Sequence, residues 1–309
     1  MLIGDIPREA LEKRLRGVGL HVNSGAFTTE LRIELPWLVD EFAQMYARYP
    51  VEDPPGIDDA TIEIVAPSWW HRHFQRQAMA KAGSVLFDPV RADHAFTLLE
   101  SVLNWAAAGC EVSPLVIHSA VVERDGRALI MPAPSGSGKS TLSAALAWRG
   151  WRLLSDEMAV FCFEDGQVRP NPRPVSLKNQ AIDLMAAFEP RARFSRTYRG
   201  TPKGDIAYME PPPGAIERAG EMAVPGLVVG PTYRKGAPAT LQALDKAEGF
   251  RWLADNSVNY SSMLKTGFDM LTAVVERCGI YLLTYSNLDE AIGLLDCLHQ
   301  DLPDTGHAA

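Results

Sequence analysis

The sequence predicts an α/β protein in two parts, a smaller N-terminal α+β domain over 1–110 and a larger domain over 111–309 built around a glycine-rich loop. Three observations carry this expectation. The stretch APSGSGKST (133–141) follows a β-rich apolar run and opens a run of strong helix formers. Residues 1–90 alternate short apolar strings with turn signals, and residues 92–110 keep apolar side chains at helical spacing.

Composition narrows the function classes. The 309 residues, 47 % hydrophobic and 22 % charged, suffice to bury a sizeable core. A net charge of -8 argues against a general nucleic-acid binder, which presents a basic surface to phosphates. No apolar run reaches the roughly 18 residues that a membrane span needs, and the opening MLIGDIPREALEKRLRG lacks the apolar centre of a secretion signal. The expected setting is the cytoplasm, away from membranes. Cys110, Cys162, Cys278 and Cys297 stand far apart in no metal or redox spacing, which suits small core residues in a reducing compartment.

In the N-terminal part, GLHVNSG, FTTELRIEL and TIEIVAP read as strands, and PWLVDEFAQMYARYP as a helix bounded by prolines. WWHRHF places His71 and His73 two residues apart, the spacing of a metal pair on a strand. No third ligand is recognisable, and packing or surface roles are the simpler reading. ADHAFTLLESVLNWAAAGC (92–110) reads as a connecting helix closed by glycine. Further on, MEPPPGAIE (209–217) reads as extended chain or loop.

The larger part opens with LVIHSAVVERDGRALIMPAPSGSGKSTLSAALAWRGWRLLSDEMAVF. Two β-rich runs flank Asp125-Gly126, the dipeptide of a tight type I′ turn. RALIMPA then feeds the loop, STLSAALAWRG follows as a helix closed by Gly150, and WRLLS as a further strand. Strand, loop, helix, strand is the context that the G-x-x-x-x-G-K-[ST] phosphate loop requires. Ala133 replaces its first glycine, at a point where the strand ends and a methyl group is tolerable. Gly136 and Gly138, where backbone must approach phosphate closely, are present. The loop residues Ser135, Gly136, Ser137, Gly138, Lys139, Ser140 and Thr141 are then the nucleotide cradle. Lys139 reaches the β- and γ-phosphates, and Ser140 offers its hydroxyl to Mg²⁺, so ATP and Mg²⁺ are the expected cofactors.

The aspartate of LLSDE follows only 16 residues after Ser140. A carboxylate at the carboxyl edge of such a sheet faces the γ-phosphate. Asp156 is the candidate general base for an acceptor hydroxyl and Glu157 the candidate metal partner. The alternative is a solvated turn that merely ends a strand.

These motifs resemble the HPr kinase/phosphorylase family of bacterial protein serine kinases, in which the string corresponding to RLLSDE reads close to R-L-V-A-D-D. The likeness is nearer still to the HprK-related kinase A subgroup, whose members share VVERDGRALIMPAPSGSGKSTL, RGWRLLSDE and a later K-G-x-x-A-x-M-x-P-P, here KGDIAYMEPP. The resemblance covers most of 112–215. It implies a mixed α/β P-loop kinase core of the type shared with phosphoenolpyruvate carboxykinases, a homo-oligomer, and the catalytic aspartate at Asp156. It also maps the family's hairpin histidine to His118, near the transferred phosphate; the sequence alone reads His118 equally well as a satisfied core histidine. The E-I-R-G-L-G-I signature that accompanies phosphorylase activity is not found, so the resemblance implies neither dephosphorylation nor HPr itself as the acceptor.

EPRARFSRTYRGTPKGD gathers Arg191, Arg193, Arg196, Arg199 and Lys203 in an otherwise acidic chain. Such a segment can close over a triphosphate or grip an acidic acceptor, or be a solvated loop. Lys203, which begins the family-like string, is the favoured catalytic cation. Arg173 and Lys178 in NPRPVSLKN are weaker candidates. In SNLDEA, Asn287 and Glu290 have the spacing of a capping box. The function expected from the whole is an ATP-dependent kinase that phosphorylates a serine hydroxyl on a small protein or peptide. A small-metabolite kinase and a nucleotide-gated binding module without transfer are the alternatives.

Overall fold

The structure is a computed structural model that describes residues 1–53, 56–74, 76–109 and 115–303. The chain divides into two compact units, Met1–Ser113 with Asn171–Gly220, and Pro114–Pro170 with Glu221–Ala309. The sequence boundary near 110 falls close to the first division. The segment Asn171–Gly220, read from sequence as part of the larger domain, groups with the first unit instead.

The first unit begins with α1 (Arg8–Arg16), β1 (Leu20–Asn23), β2 (Thr28–Ile33) and α2 (Pro36–Met45), followed by β3 (Ala60–Val65), α3 (Trp69–His73) and β4 (Gln77–Ala82). Pro36 sits in the first turn of α2, where its missing N–H costs nothing. β2 and β3 pair in parallel, and α2 lies in the crossover that such pairing needs. The short strands β5 (Val85–Leu86) and β6 (Val90–Arg91) pair with β4 and complete the sheet. α4 (Ala95–Gly109) is more than a connector: it lies on β3 and β4, and Phe96, Leu99 and Val102 are core residues. His71 and His73 fall on a single helical turn instead of a strand, with His71 Nδ1 at 2.7 Å from Ser68 Oγ.

The second unit opens with the hairpin β7 (Val116–Arg124) and β8 (Arg127–Pro132). Asp125 and Gly126 both have positive φ, 51° and 75°, as the type I′ turn demands. α5 (Lys139–Ala147), β9 (Arg152–Ser155), β10 (Met158–Phe161) and β11 (Val168–Arg169) follow. Glu123 on β7 and Arg152 on β9 form a buried ion pair at 2.6 Å.

The chain then adds to the first unit β12 (Val175–Lys178), α6 (Gln180–Phe188), β13 (Tyr198–Thr201), β14 (Gly204–Met209) and α7 (Pro213–Glu217). The three strands form an antiparallel sheet in the order β12-β14-β13. MEPPPGAIE is extended only in its first half: Pro213 enters the first turn of α7, a position proline tolerates. Tyr198, Ile206 and Tyr208 share one core with Phe42, Tyr46 and Phe96, which is why this segment belongs to the first unit.

The second unit is completed by β15 (Val224–Tyr233), β16 (Thr240–Ala243), α8 (Lys246–Asp255), α9 (Tyr260–Arg277), β17 (Gly279–Tyr285) and α10 (Leu288–Gln300). Its mixed sheet runs β11-β10-β7-β8-β15-β17-β16, with β9 also on β7. β8, β15 and β17 are parallel neighbours, so their carboxyl ends share one edge. Ile117, Val121, Ile130 and Val228 pack one face of the sheet against Leu253 of α8 and Leu271 of α9. α10 is capped by Asn287, whose side chain accepts from the N–H groups of Asp289 and Glu290. Of the cysteines, Cys278 is buried as expected, Cys162 is half-buried and Cys297 is exposed; Cys110 lies outside the described residues. No helix among the described residues is long and apolar enough to cross a membrane.

Candidate active site

β8 delivers the chain to the glycine-rich loop at the carboxyl edge of the sheet, and α5 carries it away. Ala133 is only 2 % exposed and is not among the residues of positive φ, so nothing in its backbone calls for glycine. Ala133→Gly is expected to cost about 1 kcal/mol through added chain entropy, read by thermal melting, and to leave the loop's affinity for its ligand unchanged.

Gly136 and Gly138 do require their residue type, with φ of 87° and 93°. Gly138 caps α5, and an α-helix leaves its first four N–H groups without partners of its own, here those of 138 to 141. Partial positive charge from the helix gathers at the same end. The loop is tied to β17 and β15: the Tyr285 hydroxyl donates to Gly138 O at 3.0 Å, and Tyr233 N donates to Ser137 O at 2.8 Å. Ser137 Oγ is buried without a hydrogen-bond partner among the described residues, and a side chain at Gly136 would meet open space. A helix N-terminus reached over an exposed glycine with no side chain in the way fits an anion such as phosphate.

Lys139 is 6 % exposed. Its ammonium donates to His118 Nε2 at 3.0 Å. That bond needs the neutral imidazole with its proton on Nδ1, the atom that faces Glu157 Oε2 at 3.7 Å. His118 is therefore no enclosed core histidine, since its side chain is 42 % exposed.

Asp156 is 4 % exposed between β9 and β10, which both pair antiparallel with β7. Val122 pairs with Leu153 and Val121 with Ser155, so Leu154 is an unpaired bulge residue. Side chains alternate between faces along a strand, and one extra residue reverses every face after it. Leu154 stays in the α8–α9 core. Asp156 consequently turns to the α5 face, where Ser143 Oγ donates to its Oδ1 at 3.1 Å. Burial pushes the Asp156 carboxyl up to about 6, the Glu157 charge pushes the same way, and Lys139 and the hydroxyls of Ser143 and Ser140 pull it back. A carboxylate with a proton affinity in this range exchanges protons readily near neutral pH.

The site thus brings together His118, Lys139, Ser140, Asp156 and Glu157. Among the described residues no group of three or more His, Cys, Asp or Glu side chains can hold a metal by itself. Ser140 and Glu157 carry oxygen donors of the type Mg²⁺ prefers, and Mg²⁺ commonly takes most of its ligands from phosphates and water.

Lys203 lies in the first unit, in the exposed turn between β13 and β14, where its N–H donates to Thr201 Oγ1. The arginines around it are largely engaged within that unit. Arg191 pairs with Glu189 at 2.6 Å, and Arg196 pairs with Glu41. Arg173 is buried, 3.3 Å from Glu100, in a structural ion pair. Sequence reasoning missed Ser143, Tyr233 and Tyr285. Ser143 alone left a signal, a hydroxyl three residues after Ser140 in an otherwise apolar stretch of α5.

No protein-family model matches the chain, and no curated protein matches it. Among solved structures the chain is similar to the Hpr(Ser) kinase/phosphatase from Coxiella burnetii, with 12 % identity, a TM-score of 0.27, and 60 % of this chain and 94 % of that chain covered.

Proposed function

We propose that this protein is an ATP-dependent kinase that transfers the γ-phosphoryl group to a serine hydroxyl on a small protein or peptide. The observation that carries this reading is Asp156, a buried carboxyl raised to about 6 and turned onto the helix that opens at the glycine-rich loop. The motifs at 133–141 and 152–157 that resemble HPr kinases support it from the sequence side.

The loop N–H groups and Lys139 hold the phosphates of ATP, and Lys139 exchanges its hydrogen bond with His118 for one to a phosphate oxygen. Ser140 and Glu157 would hold Mg²⁺, which would supply charge neutralisation for the phosphates. Asp156 accepts the proton of the serine hydroxyl as its oxygen bonds to the γ-phosphorus; the bond from that phosphorus to the bridging oxygen breaks, and ADP leaves.

The test is transfer of γ-labelled phosphate from Mg-ATP into a phosphatase-treated lysate of the source cells, with Asp156→Asn alongside. One small labelled protein carrying phosphoserine, absent with the variant, is the expected result. Label in a small molecule alone points to a metabolite kinase. Nucleotide binding with no transfer at all overturns the role of Asp156 and leaves a nucleotide-gated binding module.

A further inference from the structure

Tyr233 is the last residue of β15, pairs in register with Tyr285 at the end of β17, and stands one strand away from the loop that follows β8. Ligands of open α/β sheets bind at this carboxyl edge. Its ring is unusual for so constrained a position. The residue is 50 % exposed, while its backbone is fixed by the bond from its N–H to Ser137 O.

The segment after it is equally tied down. Arg234 N donates to Tyr285 O at 2.8 Å, Ala237 N to Arg234 O at 3.0 Å, and Ser286 Oγ to Ala237 O at 2.7 Å. The Tyr285 ring supports the Tyr233 ring edge-on, with centroids 5.9 Å apart. An aromatic face held this way loses little freedom when another flat ring stacks on it.

The order of strands says which ring that is. His118 on β7, and Asp156 and Glu157 between β9 and β10, lie on one side of β8, and β15 is on the other. Phosphoryl transfer places the acceptor and the leaving group in line across the phosphorus. With the acceptor on the Asp156 side, the nucleoside leaves the loop toward β15.

Building on the reading of this site as a nucleotide cradle, we infer that Tyr233 is the stacking platform for the nucleobase. Stacking accepts any base, so Tyr233 contributes affinity for nucleosides over bare polyphosphate without choosing between ATP and GTP.

The experiment compares binding of Mg-ATP and of inorganic tripolyphosphate with Mg²⁺, by calorimetry, to wild type, Tyr233→Ala and Tyr233→Trp, with melting curves confirming that each variant folds. Tyr233→Ala is expected to weaken ATP about five- to hundred-fold and leave tripolyphosphate unchanged, while Tyr233→Trp retains ATP binding. Unchanged ATP affinity in Tyr233→Ala overturns the proposal. So does an equal loss for both ligands, which marks Tyr233 as a prop for the loop. Wild type that binds neither ligand refutes the nucleotide cradle itself, and wild type that binds tripolyphosphate as tightly as ATP refutes the base platform alone.

Discussion

Asp156→Asn is expected to lower phosphoryl transfer by about 10²- to 10⁴-fold, the range for a positioned general base, and to leave nucleotide affinity near that of wild type. Asparagine keeps the shape of the side chain and still accepts from Ser143, but its amide takes no proton. In the wild-type protein the rate is expected to rise with pH through about 6, as the carboxyl ionises, and this limb is expected to vanish in the variant. A second consequence has the opposite sign. The folded-state value of about 6 lies above the ordinary 3.8, so the native state holds the Asp156 proton more tightly than the unfolded chain does. Ionising Asp156 therefore costs stability, a cost absent below about pH 4 and fully present above about pH 6. The variant escapes this cost, which is at most about 3 kcal/mol at 1.36 kcal/mol per unit. It is expected to melt higher than wild type at pH 8 and no higher at pH 4. A carboxylate that merely ended a strand in a solvated turn would produce neither the rate loss nor this pH-dependent gain.

Gly138→Ala is expected to reduce nucleotide affinity by about tenfold or more, since a backbone penalty of about 1–2 kcal/mol and a steric overlap both fall on the loop. Two physical effects combine. The backbone φ of 93° penalises any residue with a Cβ by about 1–2 kcal/mol. The new methyl group would also overlap the Tyr285 hydroxyl and stand 3.1 Å from Tyr233 Cβ. Either the loop or the tyrosine must move, and the bond from Tyr285 to Gly138 O is lost. Adding Tyr285→Phe removes the overlapping oxygen and leaves the ring carbon Cζ at 3.3 Å. The double variant is expected to recover part of the affinity, with the φ penalty remaining; strictly additive losses in this cycle would show that the overlap is not the cause. Gly136→Ala, which meets open space, is expected to carry the backbone penalty alone.

Local features were legible in the chain. The hairpin turn follows from Asp125-Gly126 because that pair tolerates two positive φ values, and α5 follows from a run of strong helix formers closed by Gly150. Pro36 marks the start of α2, and Asn287 caps α10. These are short-range effects, decided within a few residues by sterics and hydrogen bonding. The less legible elements needed longer reach. MEPPPGAIE reads as extended from its prolines, yet Pro213 opens a helical turn whose Ala215 and Ile216 are buried. The arginine-rich segment reads equally as a clamp for phosphate or acceptor and as a solvated loop, because partners such as Glu41, which engages Arg196, stand far away in the chain.

The sequence by itself determined the chemistry on offer: a glycine-rich loop with Lys139 and Ser140 after a strand, and an acidic pair one helix and one strand later. Those depend on residue type and close spacing. Tertiary structure alone decided how they meet. The register of β9 against β7 leaves Leu154 unpaired and so turns Asp156 to the loop-helix face, and the parallel register of β15 with β17 sets Tyr233 and Tyr285 beside Gly138. Strand register is a bond between residues far apart in the chain, and with side chains alternating every residue, a shift of one position separates a carboxyl that reaches the site from one that is turned away from it.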